Sequence, residues 1–326
     1  GFTEQDKTAL FAIQKEIMAR VVPLWKELQE SGQVEITTSP YAHPILPLLL
    51  NLQTARAALP GLPLPHLDPS IADDAEIHVA KAVETYRELF GVAPRGMWPS
   101  EGSVCEEMIP LLRRHGFRWM ATDQQILERS VGAPCHGPAL YQPSSFAGGG
   151  AELDLIFRDT ELSNLLGFSY AGLDPREAAK DFLQRLRTIR EGADGDLLVP
   201  VILDGENPWE NYRGNGVEFL QHLYEALGNE PGAATVRISD YLASHTHRRK
   251  LPRLFPGSWI DHSFAIWIGH EEDRKAWELL DATRREFFLA KEGGADEASL
   301  ALAWKSLLAA EGSDWFWWYG DDFSTP

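Results

Sequence analysis

The stretch Arg95-Gly-Met-Trp-Pro-Ser-Glu-Gly-Ser-Val104 decides the fold. Residues 92–98 are a short apolar run bounded by Gly91 and Pro99, the length of a buried strand. Ser103-Val-Cys-Glu106 has the spacing of a capping box, which predicts a helix from Ser103. Glu101 therefore sits on a tight turn between a strand end and a helix start. Catalytic side chains gather at such turns in α/β folds, because strand C-termini open onto the cleft. The same position also suits an acid that merely favours the positive end of a helix dipole.

A second stretch, Leu197-Leu-Val-Pro-Val-Ile-Leu-Asp-Gly-Glu-Asn-Pro-Trp-Glu210, bears on that choice. Residues 197–203 read as a fully buried strand of a parallel sheet covered on both faces. The run stops abruptly at Asp204-Gly-Glu206, and Pro208 and Trp209 follow. Two acid-bearing strand ends fit two carboxylates facing each other across a barrel mouth. Paired carboxylates beside aromatic rings are what glycoside hydrolysis needs. One acid attacks or stabilises the oxocarbenium-like centre, the other protonates the leaving oxygen, and the rings stack on sugars. A retaining pair should stand about 5–5.5 Å apart, an inverting pair about 6.5–9.5 Å.

These residues resemble glycoside hydrolase family 57. Trp98-Pro-Ser-Glu-Gly-Ser-Val104 and Leu203-Asp-Gly-Glu-Asn-Pro-Trp-Glu210 look like two of its signature motifs. Gln33-Val-Glu-Ile-Thr-Thr-Ser-Pro-Tyr-Ala-His-Pro-Ile-Leu-Pro-Leu48 looks like an earlier one. Gly257-Ser-Trp-Ile-Asp-His-Ser-Phe-Ala-Ile-Trp-Ile-Gly-His270 resembles the late motif in its amylopullulanase-like form. The match extends from about Thr3 to Asp314-Trp-Phe-Trp-Trp-Tyr-Gly320.

The resemblance implies a retaining enzyme acting on α-1,4 or α-1,6 glucans, by hydrolysis or transfer. It also implies an α/β fold: an incomplete, TIM-barrel-like seven-stranded (β/α) barrel over residues 1–256. Residues 257–326 would be a C-terminal helical appendage contributing the late motif. Glu101 matches the family nucleophile and Asp204 the general acid/base. Glu35, Trp98, Glu206, Trp209 and Trp259 match positions lining the glucan site, and Asp261 and His262 of the late motif are further candidates there. His43, between Tyr41 and Pro44, reads either as a site residue or as a hydrogen-bonded loop residue. The family opens with a strand ending in His-Gln-Pro, and that tripeptide does not occur here. The expectation is a chain that starts downstream of that strand. A partner chain or a second copy would then cover the open edge, and turnover by this chain alone would be poor.

Composition reads as a globular chain with a large core, and its charge fits a neutral polymer such as a glucan better than an anionic partner. Of 326 residues 44% are hydrophobic, enough for a large core, and 48 acids against 30 bases give a net charge of −18. That balance argues against a nucleic-acid partner and against anionic membranes. Cys105 and Cys135 form no CxxC pair, which reads as two reduced thiols in a cytoplasmic protein, with secretion the alternative. No cofactor and no metal site is expected. His245-Thr-His247 beside Arg248-Arg-Lys250 looks like a solvated basic patch, because zinc would need further ligands at metal spacing. Two other functional classes remain at this point. One is a non-catalytic glucan-binding or regulatory fragment. The other is a metal-dependent polysaccharide deacetylase, which would need an Asp and two His at ligand spacing.

Elsewhere the pattern predicts a Thr3-capped helix to about Gln29 and a strand at residues 34–38. A helix at 73–90 and strands at 117–123 and 153–159 follow, with a loop or hairpin at 132–150. Asp123 should cap the helix that follows it, and Arg158-Asp159 reads as a structural ion pair. Asp174-Pro-Arg-Glu177 starts another helix, and further helices are expected at 215–227, 271–290 and 295–310.

Overall fold

A computed structural model describes residues 1–321. The architecture is α/β around one five-stranded, mostly parallel sheet. The strands are β1 (Gly96–Met97), β2 (Trp119–Asp123), β3 (Ser144–Gly148), β4 (Ala151–Arg158) and β5 (Arg249–Lys250). Their spatial order is β1-β2-β4-β3-β5. All pairs are parallel except β3–β4, a hairpin whose first strand and turn lie in the loop or hairpin expected over 132–150 and whose second is the strand expected at 153–159. β2 is buried along its whole length, its apolar start Trp119-Met-Ala121 giving way to the buried polar pair Thr122 and Asp123.

Two expected strands are extended segments without ladders. Residues 34–38 touch the sheet by a single parallel bridge, Thr38 to Met97. Residues 197–203 lie along the end of β4, where Asp159 N donates to the Pro200 carbonyl at 2.8 Å. Pro200 has no N–H to give in return, so a regular ladder cannot pass through it. The segment is also less buried than expected: Leu198 and Pro200 are buried, and their neighbours only partly so.

The longer helices are α1 (Glu4–Glu30), α2 (Ala72–Phe90), α3 (Met108–Arg114), α4 (Gln124–Val131), α5 (Pro175–Glu191), α6 (Val217–Asn229), α7 (Ile238–Ser244), α8 (Glu271–Glu292) and α9 (Glu297–Ala310). Thr3 caps α1 through the reciprocal bonds of a capping box with Asp6. Most of the apolar stripe on α1 faces away from the rest of the described residues. Leu10, Phe11, Ile13, Ile17 and Leu24 are each more than half exposed, and no residue of α1 is buried. α2 behaves differently: Ala75, Val79, Ala82, Val83, Tyr86 and Phe90, at helical spacing, are buried.

The helix expected from Ser103 begins instead at Met108. Ser103 is extended, and Val104 pairs with Gly257 through two backbone bonds, of 2.9 and 3.2 Å. The Glu106 carboxylate, which a capping box would turn back to Ser103, accepts from Leu254 N at 3.1 Å. A long-range pairing has displaced the local one. The main buried cluster runs through both parts of the chain, joining Met97, Met120 and Leu155 to Leu254, Phe264, Trp267 and Trp277. A second cluster, around Phe182, Tyr212 and Phe219, supports the loop that follows residue 203.

Candidate active site

Glu101 stands just past the end of β1 on a turn that the sequence makes tight. Pro99 O accepts from Gly102 N at 2.8 Å, and Ser100 O accepts from Ser103 N at 3.0 Å. Thr122 Oγ1, at the end of β2, donates to Gly102 O at 2.6 Å and ties the turn to the sheet. Glu101 itself has φ 55° and ψ 27°, a left-handed conformation that costs a non-glycine residue about 1 kcal/mol or more. Gly102 is also left-handed. A Cβ there would come within 2.8 Å of the Trp98 ring, which lies over the turn.

A cavity of about 690 Å³ opens at this turn. Glu101, Asp204, His43, Trp98, Glu206 and Trp259 all line it, so six of the ten residues singled out from sequence share one cleft. Trp259 Nε1 donates to Glu101 Oε2 at 2.7 Å, and Trp98 meets Trp259 edge to face with ring centroids 6.5 Å apart. The Asp204 carboxylate accepts from Asn207 Nδ2 at 2.9 Å. His43 Nδ1 lies 2.8 Å from Ser313 Oγ.

Burial raises the pKa of Glu101 above the usual glutamate value. The bond from Trp259 and the positive field of His43 oppose the rise, while Asp204 and Asp314 add to it. The group is thus a partly buried carboxyl whose pKa rise is held in check by the Trp259 bond and by His43.

The other four candidates lie elsewhere. Glu35 lines a neighbouring cavity of about 640 Å³, with its carboxylate taken by Ser239 N at 2.9 Å and by Ser239 Oγ. Trp209 packs on Tyr212 and donates its indole N–H to Gly205 O at 2.9 Å, so it steadies the Asp204 loop from behind. Asp261 and His262 form a left-handed turn beyond Trp259, with φ of 47° and 56°. His262 faces Asp123, 3.9 Å away, and burial lowers its pKa.

Several further residues of the cleft were not singled out from the sequence. Trp25 of α1 and Thr37, Thr38 and Ser39 form one wall, and Asp314 contributes another carboxylate. Arg158, 2% exposed, ties strand ends together beneath the cleft. It pairs with Asp123 at 3.3 Å, donates to Ile202 O at 2.7 Å, and sets its guanidinium 5.0 Å from the Trp259 ring. The expected pairing with Asp159 gives way to this one. Asp159 accepts from Tyr141 OH instead, and Asp123 also caps α4 as expected.

Residues 6–252 match the sequence profile of glycosyl hydrolase family 57. No curated protein matches the chain. Solved structures that share its fold include three of related activity. One is a branching enzyme of the same family from Thermococcus kodakaraensis, with a TM-score of 0.71 and 19% identity, covering 95% of this chain and 66% of that one. A second is an α-amylase from Thermotoga maritima, at 0.68 and 15%, covering 98% and 68%. The third is a 4-α-glucanotransferase from Thermococcus litoralis, at 0.59 and 20%, covering 88% and 39%. The chain spans about two thirds of the length of the branching enzyme. By its sequence, and with a fold to match, the chain belongs to glycosyl hydrolase family 57.

Proposed function

We propose that the cleft cleaves α-glucosidic bonds of a glucan with retention of configuration. The observation that carries this reading is the meeting of Glu101 and Asp204 in one aromatic-walled cavity. In the first step the Glu101 carboxylate attacks the anomeric carbon while the bond to the leaving oxygen breaks, and Asp204 gives that oxygen its proton. In the second step Asp204 takes a proton from water, or from a sugar hydroxyl, which displaces Glu101 from the sugar. Water gives hydrolysis; a sugar hydroxyl gives transfer. Structural neighbours named as a branching enzyme, an amylase and a glucanotransferase support an α-glucan substrate. The amylopullulanase-like form of the late motif is the ground for including α-1,6 bonds.

The test is incubation with a maltooligosaccharide and with pullulan, following the anomer first formed by proton NMR. The α-anomer is expected to appear first. Asp204→Asn should slow turnover by about 10²–10⁴-fold, and azide should rescue it by trapping the glycosyl-enzyme. Binding of both glucans without turnover would overturn the catalytic reading in favour of a glucan-binding chain.

A further inference from the structure

The turn Tyr41-Ala-His-Pro44 delivers His43 to the cleft in an unfavourable backbone conformation. Ala42 and His43 both have positive φ, 55° and 60°, which residues with a Cβ adopt only where surrounding contacts impose it. Two clamps do so here. On one side Tyr41 N donates to His78 O at 3.1 Å, and the His78 ring binds Tyr41 O through Nδ1. On the other, Pro44 bridges to Gly312 and Ser313 N donates to His43 O at 2.9 Å. Gly312 fits only as glycine, because a Cβ would stand 2.5 Å from Ala42 O. The clamps are joined to each other, since His78 Nε2 meets Glu311 Oε2 at 2.6 Å.

This backbone lock fixes where His43 starts. It does not fix the imidazole, which can still rotate about its side-chain bonds. The 2.8 Å contact between Ser313 Oγ and Nδ1 does that, and Ser313 is 2% exposed, so water does not compete for the hydroxyl. With Nδ1 taken, Nε2 is the nitrogen left for the cavity. The charged groups lining that cavity with His43 are Glu101, Asp204, Glu206 and Asp314, all acids. Held there, His43 lowers the pKa of Glu101 against the effect of its burial.

We propose that Ser313 is a positioning residue for this cleft: its hydroxyl holds the His43 ring by Nδ1 and aims Nε2 at the sugar and the Glu101 carboxylate. The role rests on the glycosidic reading of the cleft, and the test separates the two. Ser313→Ala is compared with Ser313→Thr, which keeps the hydroxyl, on a soluble maltooligosaccharide. The alanine variant should lose roughly tenfold in kcat/KM, as befits a displacement smaller than the 1 Å that costs about a hundredfold. Its acid limb should move to higher pH, because Glu101 has lost the ordered ring whose field lowers its pKa, and the threonine variant should restore both. The ring nitrogen shifts of His43, read by NMR in the full chain, give a result independent of turnover. Wild type should show Nδ1 hydrogen-bonded, and Ser313→Ala should show it released. A wild-type spectrum with Nδ1 unbonded overturns the proposal, as does an alanine variant with unchanged ring shifts and acid limb. If Ser313→Ala fails to fold, the wild-type spectrum decides. If the wild type turns over no glucan, the glycosidic reading fails while the ring shifts still decide for or against Ser313.

Discussion

Trp259 holds Glu101 twice: its backbone N donates to the Glu101 carbonyl at 3.1 Å, and its indole Nε1 donates to the Glu101 carboxylate at 2.7 Å. The first bond fixes the left-handed peptide and the second fixes the side chain, so one residue sets both the position and the charge of the acid.

Replacing Trp259 by Phe keeps a ring against Trp98 and removes the donor. A hydrogen bond to the ionised carboxylate lowers its pKa, so its loss raises the Glu101 pKa further. The acid limb of the kcat/KM profile should shift to higher pH, and kcat should fall roughly tenfold or more. An unshifted limb would show that the indole bond does not govern the charge of Glu101.

Glu101→Gln should be inactive, by a factor on the order of 10⁴ or more, and more heat-stable than wild type at neutral pH. The sign follows from linkage. The folded pKa of Glu101 is raised above its unfolded value, so the folded state binds a proton that the unfolded state has released. Wild-type stability therefore falls as pH rises between those two values, whereas the amide has no such dependence. Melting temperatures measured from acid to neutral pH should diverge on the way up; parallel curves would contradict the burial of this carboxyl.

Gly96→Ala should cost about 1–3 kcal/mol. A Cβ at this position of β1 would lie 2.1 Å from two atoms of the Trp119 ring, which is 3% exposed and cannot swing into solvent without losing its packing. Because β1 leads directly into Trp98 and Glu101, activity should fall along with stability. Urea unfolding of the variant with a wild-type midpoint would show that the ring can move after all.

Burial beside Asp74 pushes the Glu311 carboxyl up to about 9, and burial pushes its partner His78 down to about 4. A neutral acid thus meets a neutral imidazole. Glu311 has an ordinary pKa of 4.5, so its contribution to stability declines as pH rises from there towards 9, while that of His78, held below its ordinary 6.5, rises up to that value; the net decline lies above pH 6.5. Glu311→Gln keeps a donor for His78 and removes the titration. It should match wild type within about 1 kcal/mol near pH 5 and exceed it near pH 9. Denaturant curves at the two pH values check this, and an equal gap at both would refute the neutral pairing.

Much of the site was legible because its acids lie where strands stop. Glu101 and Asp204 each follow an apolar run that ends abruptly, and that pattern survives in one dimension. Glu35 has the same local look, yet its carboxylate turns to Ser239, two hundred residues on, and no local pattern encodes that choice. The capping box at Ser103 failed for a related reason: Glu106 is captured by Leu254 and Val104 by Gly257. Trp25 resembles every other apolar residue of its helix, and Asp314 resembles any helix-start acid. Only the folded chain shows that the two share a wall with Glu101.

The backbone pairing of Val104 with Gly257 also says when the cleft can come into being. The loop bearing Glu101 is synthesised early, but the residues that lock its peptide and its carboxyl arrive 158 positions later. Contacts of such separation form slowly, since a long chain must first be closed. While the chain is still emerging from the ribosome, the Glu101 turn has no Trp259 to hold it in its left-handed shape. The cleft therefore takes its shape only once residues 257–259 are present, and a nascent protein paused before Gly257 would carry the Glu101 turn without the partners that hold it.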